Sequence, residues 1–167
     1  HIHLYIEQGA RIVGAFPSAT EGYDPAEPNE HTRFQDFGHS HWKNSLIWGI
    51  GLEDITISGP GLIYGKGLTR EESRLPGVGN KAISLKLCKN VTLKDFSLLH
   101  CGHFGLLATG VDNLSILNVK VDTNRDGFDI DCCKNVRISH CTVNAPWDDA
   151  IVLKASYGLG YFKDTEN

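Results

Sequence analysis

The 167-residue chain contains no methionine and no apolar run approaching 18 residues, so no segment of it reads as a membrane span. Neither sign of charge dominates, with 16 Lys and Arg against 20 Asp and Glu and a formal net charge of -4. That balance offers no basic surface for nucleic acid or an acidic membrane, and neither partner is expected. Cysteine is sparse and forms no pattern. Cys88, Cys101, Cys132, Cys133 and Cys141 make an odd count with no C-x-x-C, which argues against a structural zinc framework. Buried free thiols with at most one or two disulfides are expected instead. No positively charged leader stands before an apolar run. The chain opens at His1-Ile2-His3-Leu4-Tyr5-Ile6, which already reads as a strand, so it is expected to be cut from a longer one. Long amphipathic helical stripes are scarce as well.

What the sequence does have is glycine, short β-branched runs and repetition. With 41% hydrophobic residues, 22% charged residues and 18 glycines, it suits a packed all-β domain. Three segments align without gaps: CKNVTLKDFSLL from Cys88, VDNLSILNVKV from Val111 and CKNVRISHCTV from Cys133. Their asparagines, Asn90, Asn113 and Asn135, lie 23 and 22 residues apart. An earlier unit places Asp54 at the same position. Just before each segment is an apolar strand, with inward positions Ile83/Leu85, Leu106/Ala108 and Phe128/Ile130, and Ile151/Leu153 follows at the same period. A repeat near this length, with two or three strands in each, predicts a parallel β-helix. Equivalent residues would then stack about 4.8 Å apart, and the asparagines would form a ladder. A leucine-rich horseshoe has a similar period, but its consensus is absent. One domain over 1–167 is expected, incomplete at both ends, with loop excursions at 17–44 and 68–79 where prolines and scattered charges break the period.

In that register the acids align. Asp126 opens one strand and Asp149 opens the next, so they should stack on adjacent coils. Asp148 shares a column with Arg125 and His103. Three carboxylates this close raise one another's pKa, and a fold has little structural reason to keep them together. Glycoside hydrolysis has one: a carboxylic acid protonates the leaving oxygen while a carboxylate activates water. Turn chemistry at coil corners and calcium ligation remain competing readings of the same acids.

The stretches Asn124-Arg125-Asp126-Gly127-Phe128-Asp129 and Trp147-Asp148-Asp149-Ala150-Ile151-Val152-Leu153-Lys154 resemble glycoside hydrolase family 28, the polygalacturonase and rhamnogalacturonase group. LYIEQGARIVG and ITISGPGLIYGKG resemble that family's early coils. The resemblance implies a right-handed parallel β-helix that hydrolyses pectic bonds with inversion and needs no cofactor or metal. Its substrate would be a galacturonic-acid-containing polysaccharide or oligosaccharide met in a secreted or periplasmic setting. By the same resemblance Asp148 is the general acid, while Asp126 and Asp149 position and deprotonate water. Arg125 and Trp147 replace a threonine and a glycine of the family motifs. This change should narrow the cleft and favour another substrate or chain-end attack. The family's later Gly-His-Gly and Arg-Ile-Lys motifs have no counterpart, so the chain resembles an N-terminal portion of the domain.

Other positions carry weaker expectations. His103 and Lys81 share columns with the acids and could contact a uronate. Asp129 should point outward beside the cleft in a supporting role. Lys154 and Asp131 should stack as an ion pair. His39-Ser40-His41-Trp42 looks like zinc ligands without a completing partner and reads better as an aromatic loop, with Trp42 or Trp48 as a sugar platform. Arg70 and Arg74 should be solvated. Two alternatives to hydrolysis stay open. One is a polysaccharide lyase or epimerase on the same fold. The other is a non-enzymatic β-helical carbohydrate-binding module. Nothing in the sequence fixes the oligomeric state.

Overall fold

The computed structural model describes residues 1–18 and 20–157; the part of the single-domain expectation that covers 158–167 lies outside them. Fifteen strands are described, three to a coil. The first coil holds β1 (Ile2–Tyr5), β2 (Arg11–Val13) and β3 (Ser45–Ile50), and the second β4 (Glu53–Ser58), β5 (Leu62–Tyr64) and β6 (Lys81–Lys86). The third holds β7 (Lys89–Lys94), β8 (Ser97–Leu99) and β9 (Phe104–Thr109). β10 (Asp112–Leu117), β11 (Lys120–Asp122) and β12 (Asp126–Asp131) make the fourth, and β13 (Lys134–Ser139), β14 (Thr142–Asn144) and β15 (Ile151–Lys154) the fifth. Each strand pairs in parallel with its equivalent one coil away, which gives three five-stranded sheets: β1-β4-β7-β10-β13, β2-β5-β8-β11-β14 and β3-β6-β9-β12-β15. This is a parallel β-helix, as the repeat predicts. Among the described residues no helix is long and apolar enough to cross a membrane.

The corners explain the repeating asparagines. Asp54, Asn90, Asn113 and Asn135 all have positive φ, between 52° and 60°, a region Asn and Asp tolerate better than other side chains. Their side chains bond up the stack: Asn90 Nδ2 donates to Asp54 Oδ1 (3.0 Å), Asn113 to Asn90 (3.0 Å) and Asn135 to Asn113 (3.1 Å). A second corner repeats the device, with Asn118 donating to Asp95 at 2.9 Å. Between corners, alternation buries one face of each strand. Ile83, Leu106, Phe128 and Ile151 are register partners, as are Leu85, Ala108, Ile130 and Leu153. Ile83 through Ile130 belong to one continuous core.

The outer face of the β3-β6-β9-β12-β15 sheet is covered too. The loop between β2 and β3 carries a short 3-10 turn, His31–Arg33, and then runs across that face as a strap. Trp42 is fully buried, packs with Phe104, Leu107, Cys132 and Tyr157, and donates its indole N–H to Thr109 Oγ1 at 3.0 Å. Glu27 accepts bonds from the backbone N–H groups of Trp42 and Lys43. Gln35 donates to Ser156, and the Tyr157 hydroxyl donates to the His39 carbonyl at 2.9 Å. Trp42 is therefore a packing residue and no sugar platform. Trp48 is 37% exposed and bonds Asp24. All five cysteines are free thiols, four of them buried.

Candidate active site

Two turns bring the acids together: residues 123–125 before β12 and residues 145–150 before β15. The coils meet closely there. Gly127 N–H donates to Asp149 O and Phe128 N–H to Ala150 O, both at 3.0 Å, and Trp147 N–H donates to Asn124 O at 3.2 Å. The Asp149 N–H in turn bonds Asp126 Oδ1 at 3.3 Å. One oxygen each of Asp126, Asp148 and Asp149 lies within 4.8 Å of the others. Asp126 is only 5% exposed, whereas Asp148 and Asp149 face solvent. Arg125 holds Asp148 in an ion pair at 2.8 Å.

Environment separates the acids. Burial above all, then a hydrogen bond and charge repulsion from Asp148, then the charge of Asp129, push the Asp126 pKa up to about 7; the Asp149 N–H pulls the other way. The Asp126–Asp148 pair therefore keeps one proton to near neutrality, and the shared proton belongs to the pair. Three carboxylates at this spacing have the donors for a hard divalent cation. Here Arg125 and the shared proton already supply the compensating positive charge. Chemically, the cluster offers a proton donor beside ionised carboxylates at one pH.

Trp147 is 71% exposed and forms one wall, with the Arg70 guanidinium stacked 4.7 Å from its ring centroid. Arg74 likewise lies over Phe37 at 4.8 Å, and both arginines are exposed to solvent as expected. A groove of about 290 Å³ continues from this wall, lined by Tyr64, Lys66, Arg70, His100, Thr123 and Asn124 among others.

Three residues expected at the cleft are covered. Asp129 is fully buried beneath the strap, with His39 Nε2 3.1 Å from its Oδ2. His103 is 4% exposed and donates from Nδ1 to Arg70 O at 2.7 Å; burial first, with neighbouring cations assisting, lowers its pKa to about 4. Lys81 sits in the predicted column yet is completely buried. Its ammonium donates to Asn44 Oδ1 (3.0 Å) and Asn80 Oδ1 (2.6 Å). Burial lowers its pKa to about 7 against the attraction of Glu27, Glu72 and Asp36. The reason is common to all three: register sets the position along the stack, and the strap decides what faces water. Asp131 and Lys154 are register partners on β12 and β15.

Lys81→Met should destabilise by about 1–3 kcal/mol, because Asn44 and Asn80 lose a buried donor. A base whose pKa falls on folding penalises the fold at low pH, and the penalty lifts as pH rises from about 7 toward the unfolded value. Denaturation at two pH values checks the sign: the variant should lose more stability at pH 9 than at pH 6.

The sequence reading undervalued His39. Its motif was visible, but its partner Asp129 lies 90 residues away, and no local spacing reports that.

Residues 40–162 match the family described as right handed beta helix region. A polygalacturonase of Juniperus ashei is 27% identical over 155 residues, covering 78% of this chain and 30% of that protein. A polygalacturonase of Chamaecyparis obtusa is 28% identical over 131 residues, covering 68% of this chain and 25% of that protein. The chain thus spans less than a third of the length of these curated relatives. Among solved structures, a candidate glycosyl hydrolase of Parabacteroides merdae superposes with a TM-score of 0.65 at 17% identity, over 92% of this chain and 71% of that one. That likeness concerns the fold.

Proposed function

The chain belongs to the right-handed β-helix family, and from that premise we propose that it carries the acid site of a glycoside hydrolase acting on a pectin-type, galacturonic-acid-containing polysaccharide. The observation that carries the reading is the gathering of Asp126, Asp148 and Asp149 on adjacent coils, with one proton held in the Asp126–Asp148 pair to near neutral pH. Relatives called polygalacturonases support the substrate class. Such a polymer lies outside the cytoplasm, so a secreted or periplasmic setting goes with the reading.

Asp148, the solvent-facing member of the pair, delivers the shared proton to the glycosidic oxygen as the bond to the anomeric carbon breaks. Buried Asp126 supplies that proton through the hydrogen bond between them. Asp149 takes a proton from the water that attacks the opposite face of the sugar. Arg125 pairs with Asp148 again as proton transfer leaves it a carboxylate. The nearest oxygens lie closer than the ~6.5–9.5 Å between the carboxyls of an ordinary inverting pair. Incubation with a defined oligogalacturonide tests this by product NMR. Inverted, saturated products are expected without added cation. Unsaturated products absorbing in the ultraviolet, or complete loss of turnover with EDTA, would overturn hydrolysis in favour of a lyase.

The strap sets the mode of attack. Ser84, Leu107, Thr109, Asp129 and Asp131 on the outer sheet face are all 0% exposed, so a polymer cannot lie along β6, β9 and β12. Among the described residues, Trp147, Asp148 and Asp149 stay exposed beside that covered face. Chain-end release is expected, with reducing ends rising while polymer viscosity persists. A rapid fall in viscosity on polygalacturonate would refute it.

A further inference from the structure

We propose that His39 is a positioning residue of the acid site. The strap carries its ring between Asp36 and the buried Asp129 and within reach of Asp126, and its positive charge sets the field in which the reacting acids hold their protons. The inference rests on the hydrolase reading for its consequence and on geometry for its content.

Both ring nitrogens face carboxylates. Nδ1 lies 2.7 Å from Asp36 Oδ1 and Nε2 lies 3.1 Å from Asp129 Oδ2. A neutral imidazole has one N–H and would aim a lone pair at a carboxylate; an imidazolium donates to both. One atom each of His39, Asp126 and Asp129 lies within 4.8 Å of the others, so the ring belongs to the same electrostatic unit as the acids. Asp129 is 0% exposed, and its second oxygen, Oδ1, has no hydrogen-bond partner among the described residues. The ring is fixed from above by the Tyr157 hydroxyl on the His39 carbonyl and lies against Phe104, ring centroids 4.8 Å apart.

The charged groups facing His39 come from every side. Asp36 is on the strap, and Glu72 of the 68–79 loop is hydrogen-bonded to Asp36. Asp126 and Asp129 are on β12, Lys154 is on β15, and His103, neutral at working pH, precedes β9 with its ring 6.3 Å away. Burial opposes protonation of His39, and the bonds to Asp129 and Asp36 outweigh it, which leaves the pKa raised to about 9. The imidazolium therefore persists across the range in which the Asp126–Asp148 pair releases its proton.

Removing a positive charge from a carboxylate cluster makes that cluster hold its protons to higher pH. His39→Gln keeps a donor to Asp129 and loses the charge. The midpoint of Asp126 should then rise above about 7, by on the order of one pH unit for a cation this close. Carboxyl-carbon NMR reads this without substrate, so the result stands whether or not the protein proves to be a hydrolase. The pH profile of kcat/KM should move in the same direction. Imidazole NMR of the wild type should show His39 titrating near 9. Asp36→Asn, which removes the outer negative charge and leaves the ring in place, should lower that His39 midpoint. It also serves as the test if the glutamine variant does not fold. A His39 that titrates below 7, or an acid midpoint unmoved in His39→Gln, overturns the proposal. Loss of melting temperature alone, with the acids titrating as in the wild type, assigns His39 a purely structural role and overturns it equally.

Discussion

Asp148→Asn should lower kcat on a pectic substrate by about 10²–10⁴-fold, the usual contribution of a positioned general acid, while substrate binding is retained. The amide keeps the size of the side chain and its reach to the rim, but it cannot release a proton to the leaving oxygen. Its pairing with Arg125 also weakens, since a carbonyl oxygen replaces a carboxylate at the 2.8 Å contact. Substrates with good leaving groups discriminate between roles. A sugar bearing an acidic phenol needs little protonation, so the variant should recover much of its rate on it. A full-length protein carrying Asp148→Asn with undiminished hydrolysis of both substrates would remove the acid role. A protein without catalysis of any kind, but with carbohydrate affinity, would favour the binding-module reading.

The second large effect is expected from a residue with no side chain. A Cβ on Gly127 would stand 2.5 Å from Ala150 O and would also collide with Val143 Cγ1. Ala150 O accepts the Phe128 N–H, so the atom in the way is part of the ladder that holds β12 against β15. Gly127→Ala therefore forces the two coils apart at the acid pair. Overpacking of this kind costs about 1–3 kcal/mol, and a displacement near 1 Å at reacting groups can cost on the order of 10²-fold in rate. A lower melting temperature and a fall in kcat should appear together. Unchanged melting with full activity would show that the coils give way at no cost.

The solenoid itself was readable because its determinants recur. Asn90, Asn113 and Asn135 each take a left-handed backbone and each bond the side chain one coil earlier, so the register needed for the ladder repeats in the sequence. The same register aligns Asp126 with Asp149 and places Asp148 beside Arg125. Lys81 also stands in the column of Asp126, with Phe104 between them, and His103 and Asp129 lie close by. Their exposure was not readable, because it depends on residues 31–44, which follow no period and find their partners far along the chain. Trp42 reaches Thr109 and His39 reaches Asp129, contacts spanning 67 and 90 residues.

Sequence by itself therefore determined the coil, the order of residues up each stack and the convergence of three acids. Period and hydrogen bonding between identical corners are local, repeated constraints. Only the tertiary structure decided which outward side chains meet water and which protons they carry. Burial by the strap and the charge of His39 arise when distant segments are brought together, and desolvation acts on that final arrangement.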